Sequence, residues 1–187
     1  MMIRSTIVGG VIAALVAGTA LVGAGCSTAP KTSAAKAELA ADVEEAIELF
    51  KKEDPGMAEL FAKSYGYAVF PTVGKGAIGV GGAYGRGEVF EQGRKIGYAD
   101  LSQGTIGLQL GGQTYSEVIF FENKRSLDKF KSGEFAFSAQ ASAVAATKGA
   151  SANADFRDGV MVFTVEKTGL MYEASIGGQK FTFEPLP

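Results

Sequence analysis

The chain holds one thiol and no imidazole, and those two facts sort the chemistry open to it. The thiol belongs to Cys26, at the end of Val22-Gly23-Ala24-Gly25-Cys26-Ser27. Small residues ahead of a cysteine let the chain lie extended in a lipoprotein signal peptidase. The thiol then carries a diacylglycerol through a thioether. The run resembles a lipobox, with Gly23 where Leu is commoner. Without histidine the usual general base, the usual triads and most zinc sites are gone. With Cys26 committed to lipid, no transition-metal site and no cofactor is expected.

The remaining candidates are cations, carboxylates and a glycine run. Gly74-Lys75-Gly76-Ala77-Ile78-Gly79 fits G-x-G-x-x-G, which signals dinucleotide binding only between a strand and a helix. Here Val80-Gly81-Gly82-Ala83-Tyr84-Gly85 follows, a very poor helix former. A P-loop fails as well, because no correctly spaced Gly-Lys-Ser/Thr is present. Successive glycines can still turn backbone N–H groups into one concavity and hold an anion, with Lys75 and Arg86 flanking it. A denser basic group is Lys124, Arg125, Lys129 and Lys131, set against a single Asp128. The helix that carries it ranks first for association with an anionic bilayer, and the glycine run first for headgroup selectivity. Glu44 with Glu48, and Asp155 and Asp158 around Arg157, read as solvated or locally paired charges. No catalytic residue is marked.

The segments that position these groups begin with an export signal. Arg4 precedes an uncharged run from Ile7 to Gly25, a basic n-region and apolar h-region in order. The alternatives are a transmembrane anchor, since the run is nearly long enough to span, and secretion with a free cysteine. Residues 1–25 are therefore expected to be a lipoprotein signal peptide. Residues 26–37 form a lipidated flexible tether, and residues 38–187 form one domain. Ser27 after the cysteine favours sorting to an outer membrane, facing the periplasm or the surface. Cleavage removes one cation, so the formal balance moves from −2 to −3. A mildly acidic domain has no general pull toward nucleic acid.

Leu39, Val43, Ile47 and Phe50 predict a helix over 38–52, ended by Asp54-Pro55-Gly56. Its polar face is acidic, so it is expected to pack on the domain's own sheet rather than lie on a membrane. A short helix follows from Met57 to Lys63. Strands are predicted at Tyr67–Phe70, Ala77–Tyr84, Glu88–Gln92, Gly97–Leu101, Thr105–Gly111 and Ser116–Glu122, with turns at Glu91-Gln92-Gly93-Arg94 and Gly111-Gly112. A helix over 123–132 stops at Gly133. Strands resume at Phe135–Ala145, then Val160–Val165, Leu170–Ser175 and Phe181–Phe183, with a loop over 146–158. So many glycines in strands suit bulges and tight bends. The expected fold is α+β: a curved antiparallel sheet or partly closed barrel with flanking helices.

Ser64-Tyr65-Gly66-Tyr67-Ala68-Val69-Phe70-Pro71, then Gly76, Gly79 and Tyr84-Gly85-Arg86-Gly87-Glu88-Val89, resembles the opening of the SYLF domain. So do Gly107-Leu108-Gln109-Leu110-Gly111, Phe120, Phe130 and Lys167-Thr168-Gly169-Leu170-Met171. The resemblance runs from about Glu38 to Pro187. It implies a lipid-binding module: eukaryotic members bind phosphoinositides, some yeast members bind actin, and bacterial members are often lipoproteins. The chain has Gly97-Tyr98-Ala99-Asp100-Leu101 where a Gly-Trp-Ser-Ala-Pro-like run is the eukaryotic pattern. The expected partner is a phospholipid membrane, probed through Cys26 and the six cations Lys75, Arg86, Lys124, Arg125, Lys129 and Lys131. The alternative is an envelope protein or glycan docked on the glycine-rich face. A small hydrolase is the weakest reading.

Overall fold

The computed structural model describes residues 28–78, 80–106, 113–133, 143–168 and 178–187. In order these form α1 (Ser33–Glu53), α2 (Met57–Lys63), β1 (Gly66–Ile78), β2 (Val80–Glu91), β3 (Arg94–Ile106), β4 (Gln113–Phe121), α3 (Lys124–Lys131), β5 (Val144–Ala145), a 3-10 turn (Ser151–Asn153), β6 (Val160–Thr168) and β7 (Gln179–Pro185). The export signal, Cys26, the Gly107–Gly112 stretch and the strands expected over 135–142 and 170–175 lie outside the described residues.

Helix α1 starts five residues before the expected position. Thr32 caps it, its hydroxyl accepting from the Ala35 N–H at 3.1 Å, and Ser33 to Ala37 wind as helix rather than tether. Its buried stripe is Leu39, Val43, Ala46 and Phe50. Ala46, not Ile47, sits at the contact, and Ile47 is half-buried beside it. Burying Leu39, Val43 and Phe50 contributes roughly 1.5–3 kcal/mol each before chain entropy is counted. The helix ends at Asp54, whose carboxylate accepts N–H groups of Gly56 (3.1 Å), Gly149 (3.2 Å) and Ser151 (2.7 Å). One side chain thus ties the α1–α2 corner to a loop about a hundred residues away.

Among the described residues the sheet has seven strands in the order β5-β6-β4-β1-β2-β3-β7. Every pair is antiparallel except β5 with β6, so the sheet is mixed rather than purely antiparallel. It is curved and, among the described residues, does not close into a barrel. Its curvature can be measured. Three strands separate β4 from β7, which in a flat sheet would place them about 19 Å apart. Yet Gln179 of β7 donates to Glu117 of β4 at 2.9 Å, and Phe181 of β7 lies 5.8 Å, ring to ring, from Phe70 of β1.

Two features of β1 and β2 allow that bend. Pro71 sits in central strand β1 at a register shift, where the ladder tolerates a residue without an N–H. The Ser116 hydroxyl caps its carbonyl at 2.7 Å. Gly87 of β2 lies so close to β1 that a Cβ there would fall 2.2 Å from the Val69 carbonyl oxygen. The β2–β3 hairpin turns as expected at Gln92 (φ 50°) and Gly93 (φ 76°), both left-handed.

Side chains alternate between two cores. Phe70, Val73, Leu101, Tyr115, Ile119, Phe121 and Phe181 fill the concave side, and α3 joins them through Leu127 and Phe130. Val69, Val118, Phe120 and Phe163 face α1 and α2 on the other side, as the acidic outer face of α1 implied. No helix among the described residues is long and apolar enough to cross a membrane.

Candidate functional site

Helix α3 is built to present charge. Asn123 caps it: its Oδ1 accepts from the Ser126 N–H at 3.1 Å, while its own N–H reaches the Ser126 hydroxyl at 3.4 Å. Gly133, at φ 73°, stops it. Phe130 packs against Phe121 and Phe181, with ring centroids at 5.1 and 5.0 Å. That anchoring turns the opposite face outward, where Lys124, Arg125, Asp128, Lys129 and Ser132 line a shallow open depression.

The four cations of α3 are not equivalent. Asp128 takes Lys124 at 2.5 Å and Lys131 at 3.0 Å. Hydrogen bonds from Lys124 and then Lys131 hold its carboxyl below the usual range, and the Asp128 bond raises the Lys124 ammonium. Arg125 and Lys129 are exposed and make no ion pair among the described residues. A lone acid at 128 therefore pairs with the first and last cations of the group and leaves Arg125 and Lys129 outside its ion pairs.

Most of the glycine run is strand, and Gly79 lies outside the described residues. Gly74 to Ile78 continue β1, paired with Tyr84 to Val80 of β2, so their backbone serves a ladder rather than a concavity. Lys75 stands opposite Ala83 and Gln113. Arg86 stands opposite Thr72, three positions further along β2, and is engaged. Its Nε donates to Asp100 at 2.9 Å and its Nη2 to the Tyr84 hydroxyl at 3.2 Å. The Asp100 bond raises the Arg86 guanidinium further. The register does not bring Lys75 and Arg86 together as one pair.

Two further sites escaped the sequence. Thr28 and Ala29 are docked, not loose. Thr28 is buried with its hydroxyl 3.3 Å from that of Thr182, and the Ala29 N–H donates to Glu184 at 3.0 Å. The partners lie on β7, at the far end of the chain, so no local pattern signals them. The second site is the buried carboxyl of Glu117. Strand alternation puts it on the concave side between Tyr115 and Ile119, with Gln179 reaching it across the curve. Burial first, and the Glu117 charge second, push the Tyr115 hydroxyl far up. This interior polar contact pins β7 over β4.

A family model described as "Ysc84: Las17-binding protein actin regulator" matches residues 102–185, which include β4, α3, β6 and β7. Over 138 residues, 72% of the chain, the sequence is 30% identical to beta cell expansion factor A of Aeromonas veronii. The chain carries a SYLF-family domain. The aligned stretch spans 51% of the Aeromonas protein, so the chain covers about half the length of that relative. The SYLF family is associated with lipid binding and is not a known enzyme family. Within this SYLF domain the basic helix and the Glu117–Gln179 contact both fall in the matched region. The Ser64–Pro71 motif precedes it, and supplies Tyr65, bonded to Glu91 at 2.6 Å, and the Pro71 shift in β1.

Proposed function

We propose that the chain is a membrane-tethered lipoprotein of the cell envelope whose SYLF domain binds anionic phospholipid headgroups without catalysis. Lipid on Cys26 anchors it, at an outer membrane in cells that have one. The observation that carries the headgroup reading is the pair Arg125 and Lys129, exposed on α3 and outside the Asp128 ion pairs. Guanidinium and ammonium groups at a surface match phosphate chemically, and attraction to an anionic leaflet grows with each cation. Kinship with a lipid-associated family supports the same reading. Lys75 and Arg86 take a secondary place, because Arg86 already holds Asp100.

The second reading is docking of an envelope protein or glycan. It is supported by the description of the family model, which names a protein ligand for that family. Flotation of the unlipidated mature domain with vesicles of graded anionic content separates the two. Lipid binding predicts flotation that rises with anionic content and falls with salt. Flotation absent at every composition overturns it and leaves the docking reading.

A further inference from the structure

Residues 28–30 form a short seat on the domain. Thr28 and Pro30 are buried, and Ala29 packs with the core on the α1 side. Thr182 and Glu184, which hold Thr28 and Ala29, share one face of β7, and alternation puts Lys180 on that face too. Lys180 and Lys31 are both exposed, and neither makes an ion pair among the described residues. Lys36 lies 5.9 Å from the ring centre of Tyr98, the residue that pairs with Glu184. Lys31, Lys36 and Lys180 thus lie on the side where the chain leaves toward Cys26, beside Glu184, which accepts the Ala29 N–H, and Asp100, which is paired with Arg86. Among the described residues, strand β7 is an end strand of the sheet. From its other face α3 packs on it through Phe130 and Phe181.

We propose that residues 28–30 act as a strap rather than a leash. Lipid on Cys26 then holds the domain in one orientation, with the β7 edge, Lys31 and Lys180 against the headgroups. This rests on the reading of Cys26 as the anchor. The distances make the case. Two residues of extended chain reach at most about 7 Å, so Thr28 stays within the headgroup layer of a bilayer that holds the acyl chains. A free tether over 27–37 would instead wander on the order of 18 Å. With the strap docked, that freedom is gone and the charge around it meets the membrane directly.

Hydrogen exchange on vesicles tests the orientation. Two samples are used: the full chain purified with its native modification, and the mature chain coupled through its sole thiol to a maleimide phospholipid. Both are placed in phosphatidylcholine–phosphatidylglycerol vesicles and compared with the free mature chain. The expected result is several-fold slower exchange in residues 28–36 and 178–185, with α2 unchanged. Inserting about ten Gly/Ser residues between Ser27 and Thr28 should reduce the slowing in both segments. Uniform slowing, no slowing, or slowing centred on α2 in the coupled chain overturns the strap. An unmodified Cys26 in the native sample overturns the anchor reading instead, and the coupled chain still decides the strap.

Discussion

The charge arrangement on α3 predicts two variants of opposite sign. Four cations and one acid leave a net +3 on an eight-residue helix, but Asp128 occupies Lys124 and Lys131. Arg125→Ala/Lys129→Ala removes the two cations outside those pairs. At about 1 kcal/mol per basic residue near an anionic surface, the loss is about 2 kcal/mol, or roughly 30-fold in vesicle affinity at low salt. Asp128→Asn removes no cation; it releases two and raises the net charge by one, so affinity should rise about fivefold. The helix should tolerate the change, because both ion pairs are solvent-screened while the Asn123 cap and the Phe130 packing remain. The assay is flotation with vesicles of fixed anionic content, at low salt and at 1 M, with circular dichroism to verify the fold. At 1 M the Debye length shrinks to about 3 Å and the three proteins should converge. Folded variants that bind like the parent at low salt, or an Asp128→Asn protein that binds more weakly, would refute the reasoning.

Other perturbations follow from particular contacts. Cys26→Ala should block lipid attachment and leave an unprocessed precursor; mass spectrometry finding the same mature N-terminus as in the parent would overturn that. Gly87→Ala drives a methyl into the Val69 carbonyl between two central strands, so denaturant unfolding should show a loss of about 3 kcal/mol or more, or no folded protein. Asp54 is pushed up by burial, but hydrogen bonds from Ser151, Gly149 and Gly56 outweigh that and hold it below its ordinary value. Its stabilising contribution is therefore complete above about pH 4, the unfolded value, and is lost as pH falls through the lower folded value. Asp54→Asn should cost about 2 kcal/mol at pH 7 and flatten the acid limb of the stability–pH curve; an unchanged limb would show that the bonds from Ser151 and Gly149 do not matter.

In the orientation proposed above, strand β7 serves two neighbours. Strand β7 takes the chain coming from Cys26 on one face and α3 on the other. A strand that ends the sheet among the described residues can pair with another chain where it is left open. Seating charge around it suits contact with headgroups and discourages strand addition.

Much of the local structure was legible because it obeys local rules. Asp54-Pro55-Gly56 ends α1, Gln92-Gly93 supplies the left-handed turn, and Asn123 and Gly133 bracket α3, since each depends on backbone dihedrals within a few residues. The family resemblance was legible in ordered motifs. The strand expected over Ala77–Tyr84 is instead the end of β1 and the start of β2, paired antiparallel, and other strands are longer than expected: Gly74 and Lys75 read as a loop because glycine weakens intrinsic strand preference, whereas pairing by β2 and β4 holds them extended. The tether misled for the same kind of reason. Ser27 to Ala37 has the composition of a flexible linker, but Thr28 and Ala29 find partners more than 150 residues away. Which cations stand free was likewise settled in three dimensions. Arg86 meets Asp100 only because β2 pairs with β3 in one register, and Glu117 meets Gln179 only because the sheet curls. The sequence by itself determined the helices, turns, sole thiol and charge inventory, all properties of single residues or short windows. Only the tertiary structure decided which of those charges were already spent on one another, because pairing depends on strand order and curvature that no short window contains.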